Sequence, residues 1–599
     1  MNNDKKVRIG CASAFWGDTS TAAKQLVEKG DLDYLVFDFL AEVTMSILAG
    51  AKMKDPKMGY ATDFVRQITP LLPMIKEDEI KILSNAGGIN PVACQDILKD
   101  AADKAGIKLN IAIVTGDDLI SELPKLKELG ITEMESDESL PESCLSINAY
   151  LGAPGIVKAL EQGADIVITG RCVDSALVLA PLMYEFDWKE SDYDLLASGS
   201  LAGHIIECGA QCTGGNFTDW KEVDGFHDMG FPIVEVEGNG DFVVSKPNDT
   251  GGMVTFGTVA EQFLYEIGNP EEYLLPDVVC DFTQVTIKDI GKDMVQVSGA
   301  SGSAPTDQYK VSATYMNGYR VAGTLVIGGK DAKEKGKRIA NAIIDKVTRL
   351  LTENDLGPFK GKSYDLLGTD SIYGPNNSKS DSREIVLRLM ATHMEKDALM
   401  ILSREMAQAA TGMAAGVINY LGGRPPVSKS IHLFSFLFPK DQIKVETHVD
   451  NKSTSIKIPT GGGYVQKKDN RRSSSDLIIG DPETVSVPLS KLAFARSGDK
   501  GDHANIGVIS RRPEYLPYIQ KTLTSDVVAN YFSHVLDGKV SSWDVPGING
   551  INFLLKNSLG GGGMASMNID PQGKSYAQQL LEYDIPIDAE LFADLKTGI

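Results

Sequence analysis

The stretch Asp165-Ile166-Val167-Ile168-Thr169-Gly170-Arg171-Cys172-Val173-Asp174-Ser175 is a short apolar run that breaks at a glycine, carries charge at its end and leads into a helical pattern. The same figure occurs four times upstream, at Val7–Ala14, Asp33–Leu40, Lys81–Ser84 and Asn110–Thr115, each followed by glycine or polar residues and a helical stretch. Apolar runs of four to eight residues alternating with helices predict βαβ units on a mainly parallel sheet. In such sheets ligands bind outside the carboxyl ends of the strands. Those ends carry Ser13 and Asp18, Asp38 and Glu42, Asn85 with Gly87 and Gly88, Asp117 and Asp118, and Arg171 with Asp174. Arg171 either clamps a carboxylate or phosphate bidentately or pairs with Asp174.

Outward from this sheet, Gly203-His204-Ile205-Ile206-Glu207-Cys208-Gly209-Ala210-Gln211-Cys212-Thr213-Gly214-Gly215-Asn216-Phe217 puts a base, a carboxylate, a thiol and two amides among glycines. It reads as an active-site loop, or as a tight glycine turn between layers with cysteines as small apolar residues. Asn248-Asp249-Thr250-Gly251-Gly252 offers either an amide nest for an anion or a plain turn.

Composition narrows the class. With 59 Lys and Arg against 81 Asp and Glu, the formal charge is −22, which argues against nucleic acid and anionic membrane surfaces as partners. A small molecule fits better, and an anionic one needs a local positive pocket or helix N-termini. No apolar run reaches the ~18 residues of a membrane span, and no signal stretch is read at the start, so a cytoplasmic location is expected. Seven scattered cysteines without a CxxC pair are read as reduced thiols and not as a zinc site. G-x-G-x-x-G, Walker and G-x-S-x-G patterns are absent, which sets aside nicotinamide, P-loop and α/β-hydrolase chemistry. Asp38, Glu42, Asp118, Asp174 and Glu207 are candidate oxygen ligands for Mg²⁺, with no metal residue assigned.

Residues 284–449 change character. Strands are predicted at Tyr309–Met316 and Tyr319–Ile327, with helices over Asp331–Leu351 and Lys396–Ala409, giving a second α+β region and a candidate homo-oligomer contact. Residues 450–483, rich in Ser, Lys, Arg and Gly, read as a linker. Residues 484–599 show a β-β-α-β-β-α order whose marked feature is Ala495-Arg496-Ser497-Gly498-Asp499-Lys500-Gly501-Asp502-His503-Ala504-Asn505. This is either a phosphate or carboxylate site built from Arg496, Ser497, Asp499, Lys500, His503 and Asn505, or a charged hairpin turn with Arg–Asp pairing. Gly560–Gly563 is a flexible element able to close over a ligand.

Val7–Trp16, Ser84–Asn90, Thr169–Asp174, Glu207–Phe217 and Asp249–Gly252 together resemble the acyclic terpene utilisation (AtuA) family over most of the chain, and the last hundred residues resemble its ferredoxin-fold domain. The resemblance implies an α/β core over 1–283, acyl-CoA metabolism and a branched or acyclic-terpenoid thioester as substrate. On that footing a lyase or hydratase is expected. Glu207 or His204 would be its acid/base, Cys208 an alternative nucleophile, and Asn216, Gln211 and the Gly214 and Gly215 amides would stabilise an enolate or oxyanion. The other reading is a non-catalytic subunit or scaffold of an acyl-CoA carboxylase complex.

Overall fold

The computed structural model describes residues 5–378, 381–419, 422–450, 452–460, 463–467, 471–472 and 484–597. Its centre is a parallel sheet of β1 (Lys6–Cys11), β2 (Tyr34–Phe37), β3 (Lys81–Ser84), β6 (Ile166–Thr169) and β4 (Ile111–Thr115), adjacent in that order. β2 and β6 are buried at every position, because helices and loops cover both faces. A continuous apolar run, not an alternating one, is what such a strand requires. All five parallel strands were legible in the sequence, and the mixed α/β class with a ferredoxin-like terminal unit holds.

Antiparallel strands extend this sheet on both sides. On the β1 side lie β7 (Ile233–Glu237), β8 (Phe242–Ser245), Met294–Ser298 and Thr286–Gly291; beyond β4 lie Glu446–Val449 and Lys452–Ser455. A division at 283/284 therefore cuts the large sheet, and the chain passes into its second region only after Ser298. There the 21-residue strand Gln308–Gly328 replaces the two predicted strands. It pairs with Ser428–Pro439 and β5 (Ser146–Ala149) in its first half and with Glu384–His393 in its second, with a register break at Met316/Tyr319 where the two predictions were separated. The amphipathic helices Ala332–Glu353 and Lys396–Glu405 bury Ile339, Ile343, Leu399 and Leu402 on this sheet.

The C-terminal unit is a four-stranded antiparallel sheet ordered Ala493–Lys500, His503–Ser510, Gly550–Leu555, Val540–Val545. Where the β-β-α-β-β-α order has one helix between its strand pairs, the chain forms two, Leu516–Thr522 and Ser525–Tyr531, the second opened by a Thr524 cap on the Val527 amide. Of the predicted linker, residues 451, 461–462, 468–470 and 473–483 lie outside the described residues. Parts of the remainder are tied down: the Tyr464 hydroxyl donates to Glu272 at 3.0 Å, Lys467 pairs with Asp281 at 2.7 Å, and Arg472 donates to the Gln520 and Leu523 carbonyls.

Candidate functional site

The carboxyl ends of β2, β3 and β6 meet the C-terminal end of the helix Tyr193–Ile206. Asp38 follows β2 and is held from below by Asn85, which follows β3: the Asn85 side-chain NH₂ donates to Asp38 Oδ1 at 2.6 Å, and its carbonyl oxygen accepts the Phe39 amide at 2.8 Å. Arg171 and Asp174, after β6, form an ion pair at 2.5 Å. Arg171 also stacks on Tyr150, 4.2 Å from the ring centroid, so the pairing alternative for Arg171 is the one realised.

His204 and Glu207 sit one turn apart where the helix ends. His204 is buried between the Phe263 carbonyl, 3.2 Å from Nε2, and Glu207 Oε1, 3.1 Å from Nδ1. A carbonyl only accepts, so Nε2 carries the proton and Nδ1 is left as an acceptor. The Glu207 carboxyl must then be protonated to complete the bond. Its environment agrees: burial, then Asp174 and Glu266, push it well above the usual carboxylate range, and a helix C-terminus disfavours negative charge. Burial and the Lys500 ammonium push the imidazole down to about 4, so it is neutral. Burial and Asp174 likewise raise the Asp38 carboxyl, against Arg171 and Asn85.

The C-terminal unit supplies the opposite wall. Lys500 lies over the Tyr273 ring at 4.9 Å, and the His204 ring stands 6.2 Å from the same tyrosine. Lys574 reaches Asp499 at 3.4 Å, Glu266 at 3.7 Å and the Tyr265 hydroxyl. Side-chain exposure rises from 15% at Glu207 to 31% at Asp174 and 36% at Glu266. Solvent thus enters from the Glu266 and Asp174 side, with Asp38 on the floor. Glu266 holds a left-handed backbone, φ 60°, fixed by the Asn505 side chain, which accepts its amide at 2.8 Å and donates to the Leu264 carbonyl at 2.6 Å.

Several predicted residues lie elsewhere. Arg496 is buried and donates to Glu261 at 3.0 Å, Gln211 at 2.6 Å and the Gly215 carbonyl at 2.9 Å. It fastens the two domains, so neither Arg496 nor Gln211 is open to a ligand. Asn216 is an exposed turn residue with φ 56°, and the Gly215 amide is already bonded to the Ala210 carbonyl, so neither is set to stabilise an oxyanion; Gly214 is a buried turn position with φ 108°. Ser497 is buried against Gly573 and Ala577. Asn505 is a positioning residue within the interface, and His503 accepts the Asn557 amide at the hairpin tip, 3.8 Å from Glu135. Gly87 and Gly88 serve packing: a Cβ on Gly87 would stand 2.5 Å from the Thr169 carbonyl. The Cys208 thiol is pushed far up by burial, Glu266 and Glu207, which disfavours the thiolate that a nucleophilic role needs.

Of the Mg²⁺ candidates, Glu42 accepts from Tyr150 and faces Lys310 at 3.6 Å, while Asp118 caps the Ile120 amide. Among the described residues no three His, Cys, Asp or Glu side chains converge as metal ligands. A cavity of about 10 Å³ among Glu42, Asn148, Tyr150, Arg171 and Ser312 holds one water at most. Glu266, Lys574, Tyr265 and Tyr273 were not found from sequence; they reach the site by tertiary placement, and no local motif marks them.

The fold and site define a multidomain α/β protein with buried carboxyl groups gathered where its strands and a helix end, closed by a ferredoxin-like unit. Residues 7–449 match the acyclic terpene utilisation family protein AtuA, and residues 487–586 match the AtuA ferredoxin-like domain. The chain belongs to the acyclic terpene utilisation AtuA family. No curated protein and no solved structure matches it. No helix among the described residues is long and apolar enough to cross a membrane.

Proposed function

We propose that this chain is an acid–base enzyme of the lyase or hydratase type, acting on a branched or acyclic-terpenoid acyl thioester. The observation that supports it most is the Glu207–His204 pair, a carboxylic acid held protonated against a neutral imidazole. Adding or eliminating across a bond next to a thioester carbonyl needs a proton delivered or taken beside an enolate, and a carboxyl whose proton is retained near neutral pH suits that step. Glu207 is the proton donor and acceptor, His204 positions it, and Lys500 brings positive charge to the same pocket. Asp38, its carboxyl raised by burial and by Asp174, is a second acid on the floor.

The test is turnover of a panel of branched and terpenoid acyl-CoA thioesters, followed by mass spectrometry. Glu207→Gln keeps the shape and removes the titrating proton, and a loss of about 10²–10⁴ in kcat is expected with KM little changed. Because the active form is protonated and its pKa is raised, the wild-type rate falls on the alkaline side, and that limb vanishes in the variant. Undiminished turnover in Glu207→Gln would remove the assigned role. A silent panel, with a carboxylase co-purifying from the native source, would favour the non-catalytic subunit.

A further inference from the structure

Positive charge gathers where the second sheet faces the glycine loop of the C-terminal unit. Arg320, on the strand Gln308–Gly328, and Arg388, on its antiparallel neighbour Glu384–His393, point their guanidiniums at one thioether: Met390 Sδ lies 3.8 Å from the first and 3.0 Å from the second. Arg388 pairs with Asp365 at 2.7 Å. Arg320, half-buried, has no carboxylate within ion-pair distance among the described residues, and burial and Arg388 both disfavour its charge. His432, from the neighbouring strand Ser428–Pro439, is pushed down to about 4 by burial, Lys360 and Arg320. Three cations thus act on one patch of a chain whose net charge is −22.

The two arginines hold backbone only from the glycine loop. Arg320 donates to the Met564 carbonyl; Arg388 donates to the Met567 carbonyl at 2.9 Å and the Asn568 carbonyl at 3.5 Å. These carbonyls belong to a loop entered through Gly560, Gly561, Gly562 and Gly563, all with positive φ, a backbone that re-forms at little steric cost. A Cβ at Gly563 would lie 3.6 Å from Val43, the neighbour of Glu42, so the loop bridges the cationic patch and the helix that starts beside Arg171. Two adjacent guanidiniums with one carboxylate between them, Asp365 on Arg388, and otherwise neutral loop carbonyls are an unfinished arrangement, and a dianion accepting from both forks completes it.

We infer that Arg320 and Arg388, with Lys360 at the rim, form a subsite for a phosphate-bearing group, a phosphate ester or pyrophosphate, whose oxygens replace the loop carbonyls. The subsite extends the acyl-thioester reading by placing the ligand's phosphorylated end, and rests on that reading only for the ligand's identity. The test is calorimetric titration of the full chain with inorganic pyrophosphate and with coenzyme A at low salt. Saturable binding of both is expected, weakened about tenfold or more in Arg320→Gln and in Arg388→Gln, and unchanged in Glu207→Gln. Arg320→Lys, which keeps charge without the fork, should fall between, and it decides the matter if the Gln variants fail to fold. No binding by wild type, or equal affinity in the folded arginine variants, overturns the subsite. Loss of turnover in Glu207→Gln with no pyrophosphate binding sinks the subsite alone; pyrophosphate binding with full turnover in Glu207→Gln sinks the acid–base reading alone.

Discussion

At the scale of single residues, protonation at the strand ends is set by burial against neighbouring charge: Lys310 and Arg171 outweigh burial at Glu42, and burial prevails where no such cation compensates. Asp117 shows it apart from the pocket: it accepts from the Arg171 amide and from Asn148, yet burial pushes its carboxyl up to about 7. A folded-state value above the unfolded one means the native state binds the proton more tightly, so stability is present at low pH and is lost as pH rises through about 7. Asp117→Asn should therefore melt above wild type at pH 8, and its advantage should shrink by about 2–3 kcal/mol on going to pH 5. Melting curves at both values check this; a pH-independent difference would mean the buried group is not the titrating one. Cys208 gives the complementary expectation. Its thiol stays protonated, so Cys208→Ala should retain turnover within about threefold, and alkylation at pH 7.5 should be slower than that of a free thiol.

At the scale of elements, what the sequence made legible follows from what each signal depends on. The parallel strands announce themselves because a strand buried on both faces must be continuously apolar, as Tyr34–Phe37 and Ile166–Thr169 are. The residues at their ends, Asp38, Asn85, Arg171 and Asp174, came with them. Glu207 and His204 were found because they stand with other reactive side chains among glycines, in a stretch read as a loop that the structure makes the end of the helix Tyr193–Ile206. Roles failed where they depend on distant partners. Arg496 looked like an anion ligand because its neighbours are glycine and charge, whereas its partner Glu261 lies on the helix Phe256–Leu264, 235 positions away. Removing one side of that buried pair strands the other charge, so Arg496→Met should destabilise by about 3–5 kcal/mol. Adding Glu261→Gln should restore part of it, and denaturant unfolding of the two single variants and the double variant measures the coupling. Additive effects would show that the pair does not join the domains.

At the scale of the molecule, polar fastenings cross between the large sheet's layer and the C-terminal unit, among them Arg496 with Glu261, Arg511 with Asp219 at 2.6 Å, Asn552 with the Ile267 and Gly268 carbonyls, and Asn505 with the 264–266 backbone. Phe494 stacks on Phe217 across the same boundary. Calorimetry of the intact chain should show the C-terminal unit melting together with the core, and Arg496→Met combined with Arg511→Ala should separate the transitions. Separate transitions already in wild type would mean that these contacts do not couple the domains.

The left-handed turn at Glu266 carries a consequence for how the protein is assembled. Its conformation is held by a side chain from the ferredoxin-like unit, and that unit also brings Lys500 and Lys574 to the acidic wall. The site is therefore shared property of two segments of chain. If residues 1–483 and 484–599 are produced as separate polypeptides, neither should turn over substrate, and mixing them should recover activity with second-order kinetics, as a heterodimer forms around a site that neither half owns.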